Sequence, residues 1–247
     1  MSKEYGKLFL NVIKELLERV VNEEEANIKE AASLIAKSIM NGGILHVVGA
    51  GHSAMTAEEL FYRAGGLAPV NPIIDNDITV AHGAKKSTMM EGIIGYAEVL
   101  LRSAGVRDGD SVLVVSTSGV NVFPVEAGIK AKELGASVIA ITSRQYSLSL
   151  EPRNPWGKRL LDVADVVIDN KVPPGDASLS IDGVKVKVGP TSTILNAFIT
   201  SVLVAYVVDE MVRAGVEPPI WLSAHLPGSK EFNEELFRRY SSRIKLL

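Results

Sequence analysis

Two short stretches carry residue types suited to chemistry as well as packing. The first, HVVGAGHSAM at residues 46–55, runs a strand-like apolar segment into Gly49, Gly51, His52 and Ser53. Glycines let a backbone turn tightly, the serine offers a hydroxyl, and the helix expected next offers unpaired N–H groups, so the stretch suits an anion. The second, SVLVVSTSGVN at residues 111–121, ends a strand in Ser116, Thr117, Ser118, Gly119 and then Asn121. Three consecutive hydroxyls at a helix start can surround a phosphate without a basic side chain. A third cluster, Thr191, Ser192 and Thr193, opens a long apolar helix, where it either adds a ligand hydroxyl or caps the helix. Ser and Thr are preferred caps, so one such residue says little; two such loops after two core strands say more.

The stretch GAGHSA also fits the dinucleotide fingerprint G-x-G-x-x-A, whose ribose carboxylate is expected about 20 residues further on. Asp75 stands at a tolerable spacing, so an NAD(P)-dependent oxidoreductase remains an alternative. Nothing in that reading calls for Ser-Thr-Ser-Gly after a later strand. The second loop favours a small phosphorylated sugar.

Moving a sugar carbonyl requires a base for the proton beside it and an acid at the carbonyl or ring oxygen. On the helix expected after Ser53, residues Ala57, Leu60, Phe61 and Ala64 define the core face, and Glu59 points away beside Met55, Tyr62 and Arg63. Glu59 is the expected base, on a face that meets another subunit or a lid; the plain alternative is an i, i+4 surface pair with Arg63. Glu58 is the reserve. Of the four histidines, His46 lies inside a strand as a structural residue and His52 lies in the glycine turn, able to meet substrate. His225, in the loop before a polar C-terminal helix, is the first choice for the acid, and His82, in a long loop with Lys85 and Lys86, the second. The histidines lack metal-ligand spacing, so neither metal nor cofactor is expected, and GAGHS lacks the G-x-S-x-G elbow of a serine hydrolase.

The elements that must hold these residues follow from the apolar pattern. Runs ILHVVGAG, APVNPII, SVLVVSTSG, ASVIAIT and ADVVIDN alternate with helical segments and are apolar on both faces, which belongs to a parallel sheet covered by helices on each side. The expected fold is a doubly wound α/β sandwich, Rossmann-like. LSIDGVKVKVG alternates apolar and polar residues about Asp182-Gly183 and reads as an inserted two-residue β-hairpin. Before the sheet, residues 5–21 and 24–40 read as two helices forming an N-terminal hairpin, so the chain divides into 1–43, packed on the core and on an oligomer partner, and 44–247.

At 247 residues and 47% hydrophobic, the chain can bury a large core. The 26 basic and 29 acidic residues leave a net charge of -3 with no basic tract, so neither nucleic acid nor an anionic membrane is an expected partner. Without cysteine, thiolate chemistry is excluded. Residues 193–212 are apolar but carry Asn196, Thr200 and Ser201, and read as a buried core helix instead of a membrane span. The charged, helical N-terminus lacks a signal-peptide core, so the expected location is cytoplasmic.

GAGHS, STSGVN and the strand and helix order over residues 24–215 resemble the sugar isomerase (SIS) domain family, closest to its stand-alone phosphoheptose-isomerase-like members and an uncharacterised neighbouring group. The resemblance implies phosphosugar binding through the serine loops, with Ser53, Ser116, Thr117 and Ser118 as phosphate ligands and Gly119 and Asn121 shaping the second loop. It also implies a homodimer or homotetramer with sites near subunit boundaries. The family's isomerase glutamate does not transfer cleanly, because Glu58 and Glu59 lie near the start of their helix. The activity implied is aldose–ketose isomerisation, with a phosphosugar lyase or etherase, or a non-catalytic sensor, as alternatives.

Overall fold

A computed structural model describes residues 4–247. The N-terminal region is one helix, α1, Tyr5–Met40, where the sequence reading expected a hairpin. No glycine or proline interrupts residues 20–26, and Glu24 in the middle is buried with partners instead of facing water. Its carboxylate accepts from Lys171 Nζ, Asn27 Nδ2 at 2.7 Å and the Asp169 N–H at 3.1 Å, which pins the middle of the helix to the sheet. The helix stops at the Asn41-Gly42-Gly43 signal, with Gly42 at φ +84°.

Five strands, β1 Leu45–Gly49, β2 Val70–Ile73, β3 Ser111–Val115, β4 Ser137–Thr142 and β5 Val166–Asp169, form a parallel sheet in the order β2-β1-β3-β4-β5. Alternate residues of each strand enter different cores, as expected when helices cover both faces. On one face Val47, Leu113 and Ile139 pack with α1, with α2 Met55–Leu60 and with the long helix α8 Ser192–Arg213. On the other, Val48, Val112 and Val114 pack with α4 Tyr96–Ser103 and α5 Val122–Glu133. Helix α8 is long and apolar enough to cross a membrane; here its buried side, including Leu195, Ile199, Leu203 and Val207, lies on α1 and the sheet.

Two local expectations change. Helix α2 ends at Leu60, Phe61 is extended and Tyr62 turns to φ +40°, so Ala64 is exposed instead of buried. Tyr62 leaves the helix to join an aromatic cluster, 5.0 Å from the Trp221 ring centroid and 5.3 Å from Phe237. The inserted hairpin forms, as antiparallel β6 Ala177–Leu179 and β7 Val188–Pro190, but eight residues connect its strands instead of two. Asp182-Gly183 makes its turn, yet Val184 and Val186 have no core to cover and face solvent. The ladder exists only beside α1, where a side chain on Gly189 would meet the Phe9 ring at 3.3 Å.

Candidate active site

The chain leaves β1 for one edge of the sheet, through β2, and resumes at β3 on the other side. A crevice therefore opens beyond the carboxyl ends of β1 and β3. Register pairs Gly49 with Val115, so the two loops singled out in the sequence emerge side by side.

The first loop is tight. A Cβ on Gly49 would lie 2.7 Å from the backbone of Ser53, and Gly51 adopts φ +57°. The Gly51 N–H donates to the Ile78 carbonyl at 2.8 Å and the Ser53 N–H to that of Ala50 at 3.1 Å. With those amides engaged, the loop offers the half-buried Ser53 hydroxyl and the exposed His52 ring. This weakens the dinucleotide reading, which needs free amides and a long helix where α2 has six residues. Asp75, the ribose candidate, already accepts from the Tyr96 hydroxyl and the Asp77 N–H, both at 2.8 Å.

The second loop divides its residues between building and offering. The Ser116 hydroxyl accepts from the Gly119 N–H at 3.2 Å and closes the turn. Gly119, at φ +61°, has no room for a side chain, since a Cβ would stand 2.9 Å from Thr142 Oγ1. The Thr117 and Ser118 hydroxyls, partly exposed, have no hydrogen-bond partner among the described residues. Asn121 begins α5 without capping it through its side chain. That side chain lies close to the Glu91 carboxyl.

Glu91 is the residue the sequence reading missed. It follows α3 Ala84–Met90, which packs on the 3-10 turn Gly51–Ala54 of the first loop. Its carbonyl accepts from the Phe123 N–H at 3.1 Å, so the same segment touches both loops. Burial pushes the Glu91 carboxyl above the usual range, only partly opposed by the nearby Asn121 amide. The one sequence signal was a lone carboxylate between Met89-Met90 and Ile93-Ile94 in a stretch otherwise rich in polar residues.

The acid and base candidates fare less well. Glu59 pairs with Arg63, as in the plain alternative, and both are half exposed. It lines a groove between α2 and α8, beside His52 and Thr193, apart from residues 116–121. His82 faces outward with Nδ1 3.6 Å from Asp77, whose carboxyl Lys86 holds below the usual range. His225 lies near the opposite end of the sheet, because the chain around it is tied there. The Gly65 N–H donates to the Trp221 carbonyl at 2.9 Å, and Trp221 packs with Ile44 and Tyr240.

At Thr191 and Ser192 neither of the two readings holds as stated: the start of α8 is capped by an internal carboxylate, to which both residues donate. Asp176 accepts from the Thr191 N–H and Ser192 N–H at 2.9 Å and from the hydroxyls of Thr191 at 3.1 Å and Ser192 at 2.6 Å. A fixed negative charge at that helix start disfavours a phosphate there. Among the described residues, no group of three or more metal-binding side chains is arranged around one point.

Residues 8–143, which include both loops, match the SIS domain family. A UPF0309 protein of Halalkalibacterium halodurans is 41% identical over 239 residues, 97% of this chain and 96% of its own length. A UPF0309 protein of Listeria innocua is 39% identical over 97% of each chain. Among solved structures, the phosphoheptose isomerase of Neisseria gonorrhoeae shares the fold at TM-score 0.55 and 17% identity, covering 85% of this chain and 98% of that one. The phosphoheptose isomerase of Francisella tularensis does so at TM-score 0.53 and 16% identity, covering 86% and 100%. A five-stranded parallel sheet with two small-residue loops at its switch point, and a family match spanning both, lead to one conclusion: this chain belongs to the SIS domain family.

Proposed function

We propose that the protein binds a small phosphorylated sugar at the β1/β3 switch point and isomerises it between aldose and ketose without a cofactor, as a cytoplasmic homodimer or homotetramer. The observation that carries this reading is the pair of adjacent loops whose Ser53, Thr117 and Ser118 hydroxyls remain unengaged. They hold the phosphate, with Ser116, Gly119 and Asn121 keeping the second loop in shape. The sugar then extends past His52 and towards Glu91.

Glu91 takes the place first given to Glu59 as base. Its carboxylate removes the proton from the carbon beside the carbonyl, leaving an enediolate, and returns that proton to the neighbouring carbon. A carboxyl whose proton affinity is raised by burial is better suited to this shuttle than an exposed one paired with arginine. His52 serves the oxygen that gains and loses charge. Oligomer formation is supported by the uncovered apolar side chains of Met55, Ile194 and Val212 on the α2/α8 side, each more than a third exposed.

The test is a thermal-shift panel of sugar phosphates, free sugars, inorganic phosphate and NAD(P) on wild type and Ser118→Ala. A ligand at 100 times its Kd adds about 2.7 kcal/mol to stability. Stabilisation by a sugar phosphate, abolished in Ser118→Ala, is the expected result; stabilisation by NAD(P) alone, unaffected by the substitution, returns GAGHSA to the dinucleotide reading.

A further inference from the structure

The phosphate loops do not use all of the crevice. A groove continues from His52 down between α2 and α8. Its upper part, about 80 Å³, is bordered by His52, Met55 and Thr193, and its lower part, about 190 Å³, by Arg63, Gly66 and Val204. The two parts meet at Glu59, which lines both. Helix α8 presents Thr193, Ala197, Thr200, Ser201 and Val204 to it, a three-to-four-residue recurrence that keeps the wall on one helix face. At 1.5 Å per residue the wall runs roughly 16 Å, longer than the ring of one phosphorylated hexose.

Charge in the groove is unevenly placed. Arg63 is the one Arg or Lys among the described residues that lines it, and its guanidinium pairs with Glu59 where the two parts meet. Gly66 leaves room for the Arg63 stem, since a Cβ there would stand 3.1 Å from Arg63 Cγ. The Glu59–Arg63 pair is half exposed and joins α2 to the turn that follows it, the kind of pair that exchanges partners readily. A carboxylate arriving from outside can take the guanidinium in a two-point bond, which one shared glutamate oxygen does not supply.

We propose that this groove is a second subsite, for an anionic arm of the phosphosugar. A carboxylate on a substituent that reaches past His52 to the junction binds Arg63 and releases Glu59 to accept from the sugar hydroxyls beside it. The inference rests on the phosphosugar reading and narrows its substrate class to sugar phosphates bearing a distal acid.

Two probes that differ only in that acid test it: the 5-carboxypentyl glycoside of glucose 6-phosphate and its methyl ester, titrated calorimetrically at low salt into wild type and Arg63→Met. The acid is expected to bind at least tenfold more tightly than the ester to wild type and within twofold of the ester to Arg63→Met. Equal affinity of acid and ester for wild type overturns the subsite while leaving phosphosugar binding intact. An advantage of the acid that survives Arg63→Met overturns the role of Arg63. Silence of both probes, of inorganic phosphate and of the sugar-phosphate panel overturns the phosphosugar reading and the subsite with it.

Discussion

The two ends of the parallel sheet are built on the same strands, yet they treat polar groups in opposite ways. Where β1 and β3 begin, Asp110 accepts from the Ile44 N–H at 3.0 Å and the Arg107 N–H at 3.1 Å, and Arg243 bonds both of its oxygens at 3.0 and 2.7 Å. His46 joins the same carboxylate through Nε2 at 3.1 Å and meets Asn71 Nδ2 through Nδ1 at 3.0 Å. Where the strands end, Ser53, Thr117 and Ser118 keep hydroxyls without partners among the described residues. The first end ties down the Asp110 carboxylate from several sides and so holds the fold, though Ser111 Oγ and Arg243 Nη1 beside it are buried without a partner among the described residues, whereas the hydroxyls at the second end are partly exposed and open to a ligand.

The largest predicted effect breaks the Asp110 end. Asp110→Ala leaves Arg243, His46 and two amides without their acceptor, and chemical denaturation should show a loss of about 3–5 kcal/mol. The same network sets an acid limit. Burial alone would raise the Asp110 carboxyl, but the bonds from His46, Ile44 and Arg243 outweigh it and hold it below the usual range. Its stabilisation is thus present above the unfolded-state value near 4 and lost as pH falls through the lower folded value. Denaturation curves at descending pH should show wild type converging on Asp110→Asn.

Gly119→Ala comes next, because it damages the ligand end through the backbone. The φ of +61° and the 2.9 Å approach to Thr142 Oγ1 should cost about 1–3 kcal/mol and weaken phosphate binding as well. Asp176→Ala removes the acceptor at the start of α8 and should cost about 1 kcal/mol, the scale of a lost cap, without reducing sugar-phosphate binding. A gain in phosphate affinity confined to residues 191–192 in that variant would revive those residues as ligands in waiting. Glu91→Gln should leave stability within about 0.5 kcal/mol while abolishing turnover. In wild type the acid limb of kcat/KM should fall above the free glutamate range, because activity needs the carboxylate and burial delays its ionisation.

How much of this was legible in the sequence depended on the range of the interaction. The strands and both loops could be read locally, because two-face apolar runs and glycine-hydroxyl turns are patterns of a few neighbours. The helix stop at Asn41-Gly42 was equally local. The continuity of α1 was hidden because Glu24 looks like a solvent residue until Lys171, 147 positions away, is placed beside it. Asp176 capping α8 from 15 residues upstream, and the Glu91 carbonyl accepting from Phe123, likewise leave no periodic trace. His225 read as the acid because its loop precedes a polar helix, and only the pairing of residues 65–68 with 219–221 shows which end of the sheet it serves.

The central claim is that ligand binds where the strands end, between two adjacent loops. Backbone amide shifts recorded while titrating inorganic phosphate and then glucose 6-phosphate test it directly. The account predicts changes at residues 50–54, 91 and 116–123, with residues 44, 107, 110, 191 and 192 unmoved. Changes centred on residues 191–192 or on the Asp110 end, or none with either ligand, would contradict it.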